Sequence, residues 1–197
     1  SDSSERDIRE ARNYVSALQE GLDYFATAGR SRDTVTLELI QSLHETLMEE
    51  GRTDEDDPLP GEFRPGLAYI EENNEAWKDP VRFVPPKSDM AESRMHDLEG
   101  YIQSGGQYPN LVDIGLIHYQ FETIHPFKDG NGRVGRLLIV LLLHCSDLLV
   151  NPLLYPSSYI QRHRTEYADR LLEVSEAGAW DEWLDFFLTA MEQQADE

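Results

Sequence analysis

Twelve consecutive residues, His125-Pro-Phe-Lys-Asp-Gly-Asn-Gly-Arg-Val-Gly-Arg136, bring together an imidazole, a carboxylate, three glycines and two guanidiniums. The imidazole of His125 titrates near neutral pH and can take a proton from an incoming hydroxyl. Asp129 is a carboxylate placed as a Mg²⁺ ligand bridging phosphates requires. Gly130 and Gly132 leave backbone amides uncovered. Arg133 and Arg136, three residues apart, share one face of a helix's first turn. The unpaired N–H groups and dipole of such an N-terminus favour an anion, and two guanidinium forks suit a polyphosphate. Base, metal ligand and anion cradle in one run are what nucleotidyl or phosphoryl transfer needs. Taken singly each part is ordinary: a histidine in a helix-to-loop turn is usually structural, and Gly-Asn-Gly is a common turn. An EF-hand reading from Asp129 fails, because Val134 and Val140 stand where Gly and Glu are required. No Walker A or Gly-x-Gly-x-x-Gly pattern is present.

The elements that must hold this run are helical. Ile8, Ala11, Val15, Leu18, Leu22 and Phe25 recur at three- and four-residue steps, which predicts a helix over residues 5–28. Leu37, Ile40, Leu43 and Leu47 predict a second over 33–50, stopped by Gly51. Residues 52–86 are acidic and proline-broken, with two short strands, 66–70 and 81–84, expected as a hairpin. Helices are predicted again over 88–103 and 111–124, the latter stopped before Pro126. Residues 133–150 are apolar nearly all round, the mark of a buried central helix. Two more follow near 156–176 and 180–194. The expectation is one all-α domain over 1–197, with N-terminal helices over 5–50, a core over about 52–177, a C-terminal helix and a small β-hairpin flap.

At 197 residues the chain can bury about 70% of its unfolded surface without staples. The one cysteine, Cys145, lies in an apolar stretch, reads as a packed thiol, and suggests a reducing, cytoplasmic setting. Neither a signal peptide nor an apolar run long enough to span a bilayer is visible, so no membrane partner is expected. A net charge of −21 repels phosphate backbones, so this chain alone is not expected to bind nucleic acid. Three of the 17 basic residues are Lys, which fits either a high-salt habitat or GC-rich codons.

With this motif the sequence resembles the Fic family, whose pattern is His-x-Phe-x-Asp/Glu-Gly-Asn-Gly-Arg-x-x-Arg. The likeness extends to Gly61-Glu-Phe-Arg64, Arg82-Phe-Val-Pro-Pro86, His118-Tyr-Gln-Phe-Glu-Thr-Ile124 and Tyr159-Ile-Gln-Arg-His-Arg164. The resemblance implies a Fic-type helical domain that moves AMP from Mg²⁺-ATP to a Tyr, Thr or Ser hydroxyl of a target protein. It makes His125 the general base and Asp129 the Mg²⁺ ligand. Gly130, Asn131, Gly132, Arg133, Gly135 and Arg136 become nucleotide-binding, and Phe127 a structural anchor. Arg82, Phe83 and Val84 would belong to a flap that clamps the target by strand addition. Adenine is expected near Tyr167 and Leu171. A family branch that transfers phosphate carries Lys at the position of Gly132, so glycine there favours AMP.

Many members are restrained by a glutamate in Ser/Thr-x-x-x-Glu-Gly/Asn that pairs with the second arginine. Ser16 to Gly21 fits this pattern and makes Glu20 a candidate; Thr46 to Gly51 fits it too, with Glu50. Little sequence precedes Glu10-Ala-Arg-Asn-Tyr14, so the expectation is a piece lacking its inhibitory segment and a winged-helix domain, and more active for it. Two alternatives stand beside AMP transfer: removal of AMP by the same site, and a nucleotide-sensing module that modifies no target.

Overall fold

The apolar stripes of the sequence become helices in the computed structural model, which describes residues 2–49, 59–65, 70–71, 81–83, 85–149 and 157–195. Among them run α1 Asp2–Ala28, α2 Leu37–Leu47, α3 Ser88–Gln103, α4 Asn110–Ile124, α5 Asn131–Cys145, α6 Ser157–Arg162, α7 Arg164–Ala177 and α8 Trp180–Ala195. As its composition predicts, α5 is the centre: Leu137 to Leu143 are each at most 4% exposed. Helices α1, α2 and α4 pack around it, and α3 and α8 pack on α4. The indole N–H of Trp183 donates to the Gly115 carbonyl at 3.0 Å and anchors α8. A buried carboxylate, Asp113, accepts the Tyr101 hydroxyl at 2.7 Å and faces Arg32 at 3.4 Å, tying α3 and the turn before α2 to α4.

The three largest departures from the sequence reading are in α2, α5 and the helix after it. α2 begins at Leu37 rather than residue 33, because Arg32–Thr34 form a 3-10 turn and the Thr36 side chain caps the helix, accepting from the Leu39 N–H at 3.2 Å. α5 ends at Cys145 rather than 150. Asp147 adopts a left-handed φ of 56°, Leu148 N–H returns to the Leu143 carbonyl, and Asp147 N–H to that of His144. That is a Schellman stop with aspartate in the place glycine usually takes. The helix expected over 156–176 is broken at His163 (φ −113°, ψ 31°), whose ring stacks on Tyr159.

Two short strands, β1 Ile70–Glu71 and β2 Val81–Phe83, pair antiparallel, with Ile70 opposite Phe83 and Glu71 opposite Val81. The rest of the expected hairpin, residues 66–69 and Val84, lies outside the described residues, as do Glu50 and Gly51.

Candidate active site

The site is built where α4 stops and α5 starts. His125 ends α4 in the left-handed region (φ 50°, ψ 61°), its N–H bonded to the Phe121 carbonyl at 3.0 Å. A non-glycine residue there costs energy unless its surroundings hold it. Arg64, 3% exposed, does so: Nε donates to the His125 carbonyl at 2.7 Å, and Nη2 to the carbonyls of Pro86 at 2.5 Å and Ile124 at 3.3 Å. A guanidinium also suits the negative end of α4. The next turn is closed by Asn131, whose amide accepts the Phe127 N–H at 2.9 Å and donates to the Phe127 carbonyl at 2.8 Å. Phe127 is fully buried and lies flat against the ring of His44, centroids 3.8 Å apart and 2° from parallel. His44 accepts the Gly61 N–H on Nδ1 at 2.8 Å and meets the Asp129 carbonyl through Nε2 at 3.0 Å.

Over this base opens a pocket of about 250 Å³, lined by His125, Lys128, Asp129, Gly130, Asn131, Gly132, Arg133 and Arg136. Gly130 caps α5 with φ 80°, and its N–H donates to Oδ1 of Asp129 at 2.6 Å. Arg133 reaches Oδ2 of Asp129 at 3.3 Å and the sulfur of Met48 at 3.1 Å, with Glu10 of α1 at 3.9 Å. Arg136 donates from Nε to the Ser157 hydroxyl at 2.8 Å. A side chain at position 132 would begin 2.9 Å from the Arg136 guanidinium, so glycine keeps the cradle open.

His125 is half-buried, and its Nδ1 is buried without a hydrogen-bond partner among the described residues. Burial pushes its pKa down to about 4, with Arg64 adding to the effect and the Glu122 backbone carbonyl and Asp129 opposing it. At neutral pH the imidazole is therefore the free base, the form that accepts a proton.

Seven of the expected residues, His125, Asp129, Gly130, Asn131, Gly132, Arg133 and Arg136, thus line one pocket. The side chain of Asn131 is spent on holding the loop, which leaves its backbone as its contribution to the cradle. Gly135 does not line the pocket; a Cβ there would meet Glu122 Oε1 at 2.4 Å. Leu171 packs partly buried against the core and does not line the pocket; the Tyr167 hydroxyl is taken by His118 at 2.9 Å. The Glu20 carboxylate accepts the hydroxyls of Ser42 and Thr46 of α2, each at 2.5 Å. Arg82 and Phe83 sit in β2. Sequence reasoning missed His44, Arg64 and Ser157. The available signal for His44 was a polar residue inside the apolar stripe of α2.

The carboxylate of Asp129, expected from the sequence to meet Mg²⁺, lies 67% exposed at the pocket. Among the described residues no group of three or more His, Cys, Asp or Glu could hold a metal. A single carboxylate beside an anion cradle fits a Mg²⁺ ion that arrives with phosphates rather than one caged by protein.

Residues 34–143 match the family described as Fic/DOC family. The chain is 30% identical over 169 residues to a protein named protein adenylyltransferase Fic from Aedes aegypti, covering 83% of this chain and 30% of that one. It is 29% identical over 111 residues to a uridine 5'-monophosphate transferase from Xanthomonas campestris, covering 52% of this chain and 20% of that protein. A solved Fic family protein from Desulfovibrio desulfuricans superposes with a TM-score of 0.77 at 27% identity, over 97% of this chain and 53% of that one. The chain spans less than a third of the length of the curated relatives it matches.

Proposed function

The chain belongs to the Fic/DOC family, and on that premise we propose that it is a nucleotidyltransferase moving AMP from ATP to a Tyr, Thr or Ser hydroxyl of a target protein. One observation carries the reading: a neutral imidazole, His125, opens onto the same pocket as two arginines and a glycine-lined helix N-terminus. His125 takes the hydroxyl proton as the target oxygen bonds to the α-phosphorus. The bond from that phosphorus to the bridging oxygen breaks, and pyrophosphate leaves with Arg133 and Arg136 balancing its charge. Asp129 would hold Mg²⁺, which supplies positive charge to the phosphates when bound. The β1–β2 pair, with Arg82 and Phe83, offers an edge to which an extended target segment can add as a strand. No described helix is long and apolar enough to cross a membrane. The buried free thiol of Cys145 and the acidic surface accord with a cytoplasmic enzyme whose partner is a protein and not a nucleic acid.

A second reading keeps the chemistry and changes the base. Neither Tyr167 nor Leu171, where adenine is expected, lines the pocket, and one relative is named as a uridine 5'-monophosphate transferase. Removal of AMP has less support, because Glu20 is engaged by Ser42 and Thr46.

The test is incubation with target lysate, Mg²⁺ and ATP or UTP labelled at the α or the γ phosphate, beside a His125→Ala variant. Label should pass to protein from the α position only and fall by about 10²–10⁴-fold in the variant, with nucleotide binding retained. Label arriving from the γ position would overturn nucleotidyl transfer.

A further inference from the structure

The buried stripe of α2 contains Ile40, Leu43 and Leu47, each 1% exposed, and among them His44, 5% exposed. An aliphatic residue would fill that space, yet both ring nitrogens of His44 are used by distant parts of the chain. The Gly61 N–H can only donate, so Nδ1 is the acceptor at 2.8 Å. The ring proton therefore sits on Nε2 and is given to the Asp129 carbonyl at 3.0 Å. The face of the ring is fixed by Phe127 at 3.8 Å. Position, plane and tautomer are all determined.

Asp129 needs such a hold. Its carboxylate is exposed, and among the described residues its bonds come from the adjacent Gly130 N–H and from Arg133, parts of its own loop and helix. The bond from His44 ties the Asp129 backbone to a different element of the fold.

We propose that His44 is a positioning residue that fixes the Asp129 carboxylate for a Mg²⁺-bound polyphosphate, through the bond from its Nε2 to the Asp129 backbone. Mg²⁺ tolerates little departure from octahedral geometry, so a carboxylate that drifts with its loop loses metal affinity faster than the cradle loses anion affinity. Partners of metal ligands typically change metal affinity by about 10–100-fold when removed. The proposal rests on the nucleotidyl-transfer reading for the ion's arrival with phosphates.

His44→Phe keeps the ring against Phe127 and removes both hydrogen bonds. Binding of the α,β-methylene analogue of ATP is titrated against Mg²⁺ and repeated in EDTA, with thermal melting as the check on folding. The expected result is about a 10–100-fold rise in the Mg²⁺ needed for half-maximal binding, with affinity in EDTA unchanged. His44→Gln, whose amide can still donate towards Asp129, should recover part of the loss. Should the phenylalanine variant not fold, His44→Asn, too short to reach Asp129, gives the same readout. An unshifted Mg²⁺ requirement in a folded variant overturns the role of His44, as does an equal loss of binding in EDTA. Wild-type protein that binds no nucleotide even with Mg²⁺ overturns the nucleotidyl-transfer reading itself.

Discussion

Helix α5 carries polar company on two sides under opposite conditions. On the pocket side, Gly132, Arg133 and Arg136 face an open cavity, and the carboxylate they share it with is 67% exposed. On the other side, behind Gly135, His118 and Glu122 are buried, with the partly buried Tyr167 closing over them. His118 bonds the Tyr167 hydroxyl, while His118 Nδ1 and Glu122 Oε1 are buried without hydrogen-bond partners among the described residues. Burial drives the two ionisable groups towards neutrality, with Glu122 pushed up to about 7 and His118 down to about 3. Charge on the pocket side stays in water until a ligand takes it, whereas charge behind Gly135 is suppressed by desolvation. A single turn of helix separates groups presented to a substrate from groups confined to the core.

The largest effect expected from this division is at Arg133. Arg133→Ala removes a fork from the cradle and should lower kcat/KM by about ten- to a hundredfold, the worth of a hydrogen bond to a charged group. Its melting temperature should hardly move, since the partners of Arg133 are the exposed Asp129, a methionine sulfur and, at 3.9 Å, the 36%-exposed Glu10 carboxylate. A large fall in Tm with unchanged kcat/KM would make Arg133 a structural residue and break the comparison.

Two glycines three residues apart sharpen it. In Gly135→Ala the new methyl meets Glu122 Oε1 at 2.4 Å and the His118 ring at 3.1 Å, both packed in the core. Overpacking of this kind costs about 1–3 kcal/mol, read as a fall of several degrees in Tm with activity per folded molecule retained. In Gly132→Ala the nearest group is the end of a flexible guanidinium, Arg136 Nη1 at 2.9 Å. Alanine is the better helix former by up to about 1 kcal/mol, so Tm should hold or rise while nucleotide affinity falls. Matching changes in the two variants would show that α5 has no such division.

The sequence made one side of this helix legible and left the other unread. The pocket side is local: base, carboxylate, glycines and arginines follow one another within twelve residues, and helical spacing alone gathers them. Gly135 looks in that list like one more cradle glycine, yet its neighbours come from α4, and only the crossing of the two helices puts Glu122 against it. Likewise His44 and Arg64 reach the loop from 85 and 61 residues away, separations that no periodicity encodes. The apolar runs foretold the central helix, but Asp147 in a left-handed turn ended it early, because aspartate is a rarer occupant of that place than glycine. Glu20 matched a pattern and faces Ser42 and Thr46 because the packing of α1 on α2 decides where a side chain points.

The smallest effect expected is a pH dependence confined to the group behind Gly135. Glu122 is faced by Arg136 from α5, by Tyr167 from α7 and by His118 one turn back on its own helix. Its pKa is raised from an ordinary 4.5 to about 7, chiefly by burial, with Arg136 opposing. The native state thus holds this proton more tightly than the unfolded chain. The stability it contributes is complete below about pH 4.5 and is lost as pH rises through about 7. His118 runs the other way: lowered from 6.5 to about 3, it contributes stability above 6.5 that is lost as pH falls towards 3. Glu122→Gln removes only the first of these. The Tm of the variant relative to wild type should therefore grow more favourable from pH 5 to pH 8, by a few degrees if the difference is about 1 kcal/mol. A flat difference would place the carboxylate in contact with water and dissolve the contrast between the two sides of α5. A difference growing more favourable as pH falls would mean that attraction to Arg136 outweighs burial, and that the group behind Gly135 is charged like the one in front of it.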